Sequence, residues 1–321
     1  MLALTAITSW HWVGFVALVL VFLALDLGVF HREAHVVKFK EAMTWTLVWF
    51  SLAVIFAVGL SQFRNDDEAL EFGTGYIIEL SLSMDNVFVI ALIFAYFRVP
   101  LAFQHRVLFW GILGALVMRG LMIYVGAALV QRFDWMLYVF GAFLIYTGIR
   151  MVFASEEGVH PEKNPVIRAT QKLFPVSTDF EGQKFLTTIN GRRALTPLAL
   201  VLLMVETTDL IFAVDSIPAI FAITQNTFIV FTSNVFAILG LRSLYFVLAN
   251  AIGYFRYLKI GLSLVLVFIG LKMLFPILQH KFHVLENYTL PTSAALIIVA
   301  GIILVSVIFS IISARHSDRR K

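Results

Sequence analysis

Apolar residues fall in blocks of roughly 20, the length at which a helix crosses the hydrocarbon core of a bilayer. Nine such blocks are read along the chain, at about 12–30, 44–62, 74–97, 107–130, 135–153, 197–223, 228–250, 257–275 and 293–313. The polar segments between them alternate in charge. Arg32, Lys38 and Lys40, then Arg98 and Arg106, then the basic residues of 154–196, then Arg256 and Lys259, and finally the tail ending Arg319, Arg320 and Lys321 occupy every second connection. The connections between them are acidic (Asp66, Asp67, Glu68, Glu71), short, uncharged or nearly so. Basic loops stay in the cytoplasm, so the pattern predicts an outside N-terminus and an inside C-terminus. The first block has no basic n-region or small-residue cleavage site before it, and it is expected to remain as a span.

Composition sharpens this picture. In a chain of 321 residues, 60% are hydrophobic and 14% charged, against about a quarter charged in soluble domains. The fold class predicted is an all-α polytopic membrane protein. There is no cysteine, which removes disulfides, thiolate metal sites and cysteine nucleophiles from consideration. The formal charge of +4 is placed for orientation in the bilayer, and no nucleic-acid partner is expected. No P-loop, zinc-protease motif or nucleophile–His pair is visible, and an enzyme is not expected.

An internal repeat organises the blocks. MDNVFVIALI (84–93) resembles TDLIFAVDSI (208–217), GILGALVMRGLMIY (111–124) resembles VFAILGLRSLYF (235–246), and TGIRMVF (147–153) resembles IGLKMLF (269–275). These alignments match Asp85 to Asp209, Arg119 to Arg242 and Gly148 to Gly270. A second alignment pairs Glu79 and Asp85 with Asp209 and Asp215, since both pairs are six apart. In either case spans 3–5 recur as spans 6–8. Because three is odd, the copies enter the membrane from opposite sides, an inverted-topology repeat of the kind found in secondary transporters. The chain then divides into flanking helices (1–62), a first repeat (63–153), a cytoplasmic linker with one amphipathic surface helix (154–196), a second repeat (197–276), and a last helix with a basic tail (277–321).

Inside these spans lie Asp26, Glu79, Asp85, Glu206, Asp209 and Asp215, against Arg119 and Arg242. Carboxylates are costly at bilayer depth and are kept for function or paired. Six acids exceed two bases, so some acids either carry protons or hold an ion. The neighbours Ser81, Ser83, Asn86, Thr207, Thr208, Ser216 and Pro218 are residue types expected where a membrane helix is interrupted and lines a cavity. Carboxylate, carbonyl and hydroxyl oxygens without thiols suit a hard divalent cation. Glu206 and Asp209, three apart, share a helix face. Glu79 and Asp85 reach one ion only if the helix unwinds around Ser81 to Ser83, or they serve successive sites. Asp26 near the end of span 1 is an accessory or proton site, or a partner of Arg32.

The stretches ELSLSMDNVFV, VETTDLIFAVDSIPAIFAIT, LRSLYF and ALDLGVFHREAHVVKFKEAMTWTLVW together resemble the TerC family of integral membrane proteins, in its Alx-type branch. The resemblance spans about 20 to 275. It implies a bacterial inner-membrane protein linked to manganese homeostasis and export, with kinship to the lysine-exporter superfamily. The family's acidic positions fall on Glu79, Asp85, Glu206, Asp209 and Asp215, with Asn86 beside them.

The expected function is export of a divalent cation, most of all manganese, by alternating access around a midplane carboxylate site. Arg119 and Arg242 balance the charge, and protons are exchanged when the acids are empty. The cation is substrate, with no tightly bound cofactor. The alternative is an assembly or metal-delivery partner for other membrane or secreted proteins, docking through 154–196.

Overall fold

The computed structural model describes residues 7–25, 37–153, 164–189, 191–248, 258–282 and 290–318. Asp26 lies outside them. Among the described residues there are ten helices and one hairpin: α1 (Ser9–Leu25), α2 (Phe39–Phe63), α3 (Asp66–Tyr96), α4 (Leu101–Arg132), α5 (Met136–Phe153), α6 (Pro165–Leu173), β1 (Leu186–Ile189), β2 (Arg192–Leu195), α7 (Pro197–Phe221), α8 (Thr227–Leu248), α9 (Leu258–Phe282) and α10 (Thr292–Asp318). Among the described residues, eight helices are long and apolar enough to cross a membrane, and α1 is a shorter apolar helix over Ser9–Ala24. The chain is an all-α polytopic membrane protein.

Local chemistry sets the helix ends. Asn65 caps α3 by accepting from the Glu68 amide at 2.6 Å, with Asp66, Asp67 and Glu68 in the first turn, where negative charge complements the helix dipole. α7 starts on Pro197 and runs through Pro218, ending one turn later. Asn226 then accepts from the Phe228 amide and starts α8. The interruption expected in the two acidic helices is not present. α3 and α7 are continuous, and three of their hydroxyls bond back to their own helix: Ser81 to Ile77 O, Thr207 to Leu203 O and Thr208 to Met204 O.

α3 and α7 pack antiparallel, with Gly75 beside Ile220 and Asn86 donating to Asp209. On one side α8 packs along α3, α4 along α7, and α4 against α8; on the other, α5 lies lengthwise on α9. α2 covers α8 and α3, and α10 covers α9 and α3. Glycines permit the closest crossing. A Cβ on Gly270 would stand 2.6 Å from Gly141 O, and one on Gly148 would stand 2.9 Å from Ser263 O. Small residues of this kind let membrane helices approach backbone to backbone.

The linker has more structure than a surface helix. β1 and β2 pair antiparallel from Leu186↔Leu195 to Ile189↔Arg192, and Gly191 takes a positive φ of 75° that suits a glycine in the tight turn. The segment packs on the bundle: Ile167 of α6 is buried, Phe180 meets Phe103 of α4, and Arg106 lies over the Phe185 ring at 5.3 Å.

Candidate functional site

The acids of α3 and α7 fall into three places. The first is an ion-pair group centred on Arg119 of α4. Its Nη1 donates to Glu79 Oε2 at 2.7 Å, its Nη2 to Asp209 Oδ1 at 2.9 Å and its Nε to Asp209 Oδ2 at 3.2 Å. Asn86 Nδ2 also donates to Asp209 Oδ1, at 3.2 Å. The group is almost dry, with Glu79 0%, Arg119 2% and Asp209 8% exposed. The fork of the guanidinium matches the Asp209 carboxylate and leaves one arm for Glu79, the geometry that favours Arg in buried pairs. One positive charge against two carboxylates leaves the group net negative.

The second place is a cavity on the α5–α9 side, lined by Leu82, Asp85, Asn86, Arg119, Met151, Phe212, Asp215, Ser216 and Leu266, with a volume of about 10 Å³. That is the room needed by about one water molecule, or one ion stripped of its shell. Asp85 makes no hydrogen bond or ion pair with any described residue; Lys259 acts on it only through the longer-range field. Asp215 Oδ1 accepts from Thr147 Oγ1 of α5 at 3.2 Å. Asn86 Oδ1 and Ser216 Oγ are buried without a hydrogen-bond partner among the described residues. Two carboxylates, an amide oxygen and a hydroxyl therefore meet at a site lined also by Arg119, whose guanidinium is committed to Glu79 and Asp209, while Arg150 acts on Asp215 through its field.

Glu206 stands in the third place. Its carboxylate lies over Gly114 of α4, in the space an added Cβ would take. No described residue bonds to it. Arg242, expected to balance charge, is buried on α8. The structure thus brings Glu79, Asp209 and Asn86 together, and Asp85, Asp215 and Asn86 together, while Glu206 stays apart. No cluster of three or more His, Asp or Glu side chains forms a metal centre among the described residues. With α3 unbroken, six residues of helix put Glu79 and Asp85 on different faces, so they serve separate places.

One interval in the sequence relates these pairs. The same separation divides Glu79 from Asp209, Leu82 from Phe212, Asp85 from Asp215 and Asn86 from Ser216. The first pair meets on Arg119, and the other three face one another across the cavity. Thr147 escaped the sequence reading, because a threonine inside LIYTGIR gives no charge signal.

Comparison with known proteins agrees with this architecture. No solved structure matches the chain. It is 49% identical over 306 residues to an uncharacterized membrane protein of Myxococcus xanthus, covering 95% of this chain and 93% of that one. It is 44% identical over 319 residues to the "Putative membrane-bound redox modulator Alx" of Escherichia coli, covering 96% and 97%. An uncharacterized membrane protein of Rickettsia bellii is 38% identical over 309 residues, covering 96% and 99%. The family model described as "Integral membrane protein TerC family" matches residues 64–318, which include both acidic helices and the Arg119 group, and the chain belongs to that family.

Proposed function

We propose that this protein exports a divalent cation, manganese in the first place, across the bacterial inner membrane by alternating access, with the ion held where α3 and α7 cross. The observation that carries the reading is the cavity between Asp85 and Asp215. Its oxygen donors are hard, it admits about one ion, and the neighbouring guanidinium is already bound elsewhere. A cation of the manganese, magnesium or calcium class suits this set of oxygen donors. Thr147 orients Asp215 from behind, as an outer partner does for a metal-binding carboxylate. The reciprocal packing of Gly148 on Ser263 and Gly270 on Gly141 favours two related halves that rock about this point. Glu206, outside the ion-pair group, is positioned to exchange protons along the route.

The Escherichia coli relative carries a redox name. This chain contains no cysteine, so a thiol-based redox role has no residue here, whereas cation movement has a full set of donors.

The test is manganese flux into proteoliposomes holding the purified chain. Asp85→Asn and Asp215→Asn should each abolish flux while leaving the melting temperature close to wild type. Undiminished flux in both variants would sink the assignment.

A second reading, docking of partner proteins at 154–196, has its own support in the exposed Leu173, Phe174 and Leu186 on the linker. Because the linker is packed on α4 and α7, deleting it would strip core contacts. Leu173→Ser with Leu186→Ser is the cleaner probe, and unchanged maturation of partner membrane proteins in that variant would argue against docking.

A further inference from the structure

Outside the two acidic motifs, Asn234 of α8 is the buried polar side chain with the least local support. It is 1% exposed, and neither its amide nitrogen nor its amide oxygen has a hydrogen-bond partner among the described residues. Most buried polar side chains find at least one partner. Its neighbours Thr232 and Ser233, by contrast, bond back to Ile229 O and Val230 O.

The packing of α8 fixes where Asn234 looks. Val230, Asn234, Leu241 and Tyr245 fall within about 60° of one another around the helix. Val230 clusters with Ile123 of α4 and with Ala213, Ile217 and Ile220 of α7. Leu241 and Tyr245 cluster with Ile90 and Phe94 of α3 and with Met204 and Val205 of α7. Asn234, between them on the same stripe, therefore faces the space enclosed by α3, α4 and α7. Its depth follows from two close contacts: Gly75 of α3 lies against Ser233, and Gly120 of α4 against Phe231. Glu79 is one turn further along α3 from the first contact, and Arg119 is the residue next to the second. At this level Glu79 Oε1 is likewise buried without a partner, its other oxygen being held by Arg119.

We propose that Asn234 is a ligand of the transported cation, holding it through Oδ1 together with Glu79 Oε1, on the α4–α8 side of Arg119. This is a second station, across the α3–α7 crossing from the Asp85–Asp215 cavity, and it rests on the export reading above. The net negative Arg119 group attracts the ion, and the neutral amide adds an oxygen without adding charge that would trap it. Conduction through successive sites of this kind requires binding weak enough to release.

Calorimetric titration of manganese(II) chloride into the full chain in lipid nanodiscs tests the assignment, with melting temperatures measured alongside. Asn234→Leu should weaken binding tenfold or more while the melting temperature holds or rises, since an apolar side chain of similar size removes two unsatisfied groups. Asn234→Asp, nearly isosteric, should bind at least as tightly as wild type. Wild-type affinity in both variants would overturn the assignment and leave Asn234 a residue that meets bound water only. A wild-type chain that binds no manganese while Asp85→Asn behaves identically would instead overturn the export reading on which this one depends.

Discussion

Arg119 is where single residues matter most. Its guanidinium is buried with Glu79 and Asp209 and bonded to both. Removing one member of a buried ion pair strands the others, at a cost of about 3–5 kcal/mol. Arg119→Met is therefore expected to destabilise the detergent-purified protein by that amount in thermal or denaturant unfolding. Glu79→Gln, which keeps an acceptor, should cost less, about 1–3 kcal/mol. A variant at Arg119 that melts like wild type would show that the group is not a stabilising centre. These acids and Arg119 were legible in the sequence, because charge inside an apolar block is conspicuous. Their division into an ion-pair group and a separate cavity was not. It depends on whether α3 unwinds, and α3 stays helical through Ser81 and Ser83, with Ser81 bonding to the carbonyl of Ile77. Asn234 was overlooked for a related reason: an uncharged amide in TSNVFAIL barely disturbs an apolar block.

At the scale of elements, two glycines make opposite predictions. A Cβ on Gly270 meets backbone atoms of α5, Gly141 O at 2.6 Å and Ile145 N at 3.0 Å. Backbone cannot yield, so Gly270→Ala should force α5 and α9 apart and cost about 1–3 kcal/mol, the usual range for overpacking. The atoms nearest a Cβ on Gly114 are those of the Glu206 carboxylate, the free end of a flexible side chain. Gly114→Ala should fold normally and displace Glu206, so that flux changes while the melting temperature does not. Equal melting temperatures in both variants would contradict the tight crossing. The long helices were legible from block length, but not all their bounds: α3 begins at Asp66 and α4 at Leu101, inside the segments read as loops before 74 and 107, because a helix can run past its apolar stretch into polar residues. The hairpin at 186–195 was missed although Asn190–Gly191, between TTI and RRAL, is a strong two-residue turn signal. Strands of four residues leave little periodicity to read between long apolar spans.

For the whole molecule, the decisive feature is how α5 and α9 meet, since the sequence pairs them as the last helices of two three-helix sets. Gly148 packs on Ser263 as Gly270 packs on Gly141, so α5 and α9 run antiparallel across a near two-fold crossing. Helices that begin from opposite faces of the membrane produce this arrangement, and the alternating loop charges demand the same orientation. The absence of cysteine makes the orientation measurable with single introduced thiols. Asp67→Cys and Asp134→Cys, both exposed at connections read as outside, should react with a membrane-impermeant maleimide added to intact cells. Lys184→Cys in the linker, also exposed, should react only after the membrane is opened. Labelling of all three from one side would mean that the two sets enter the membrane in the same direction. The matched acid pairs would then be a feature of packing alone, and rocking of two inverted halves would have no structural basis. Labelling from opposite sides puts the Asp85–Asp215 cavity between halves of opposite orientation. An ion held there can then be opened to either face by equivalent movements of equivalent helices.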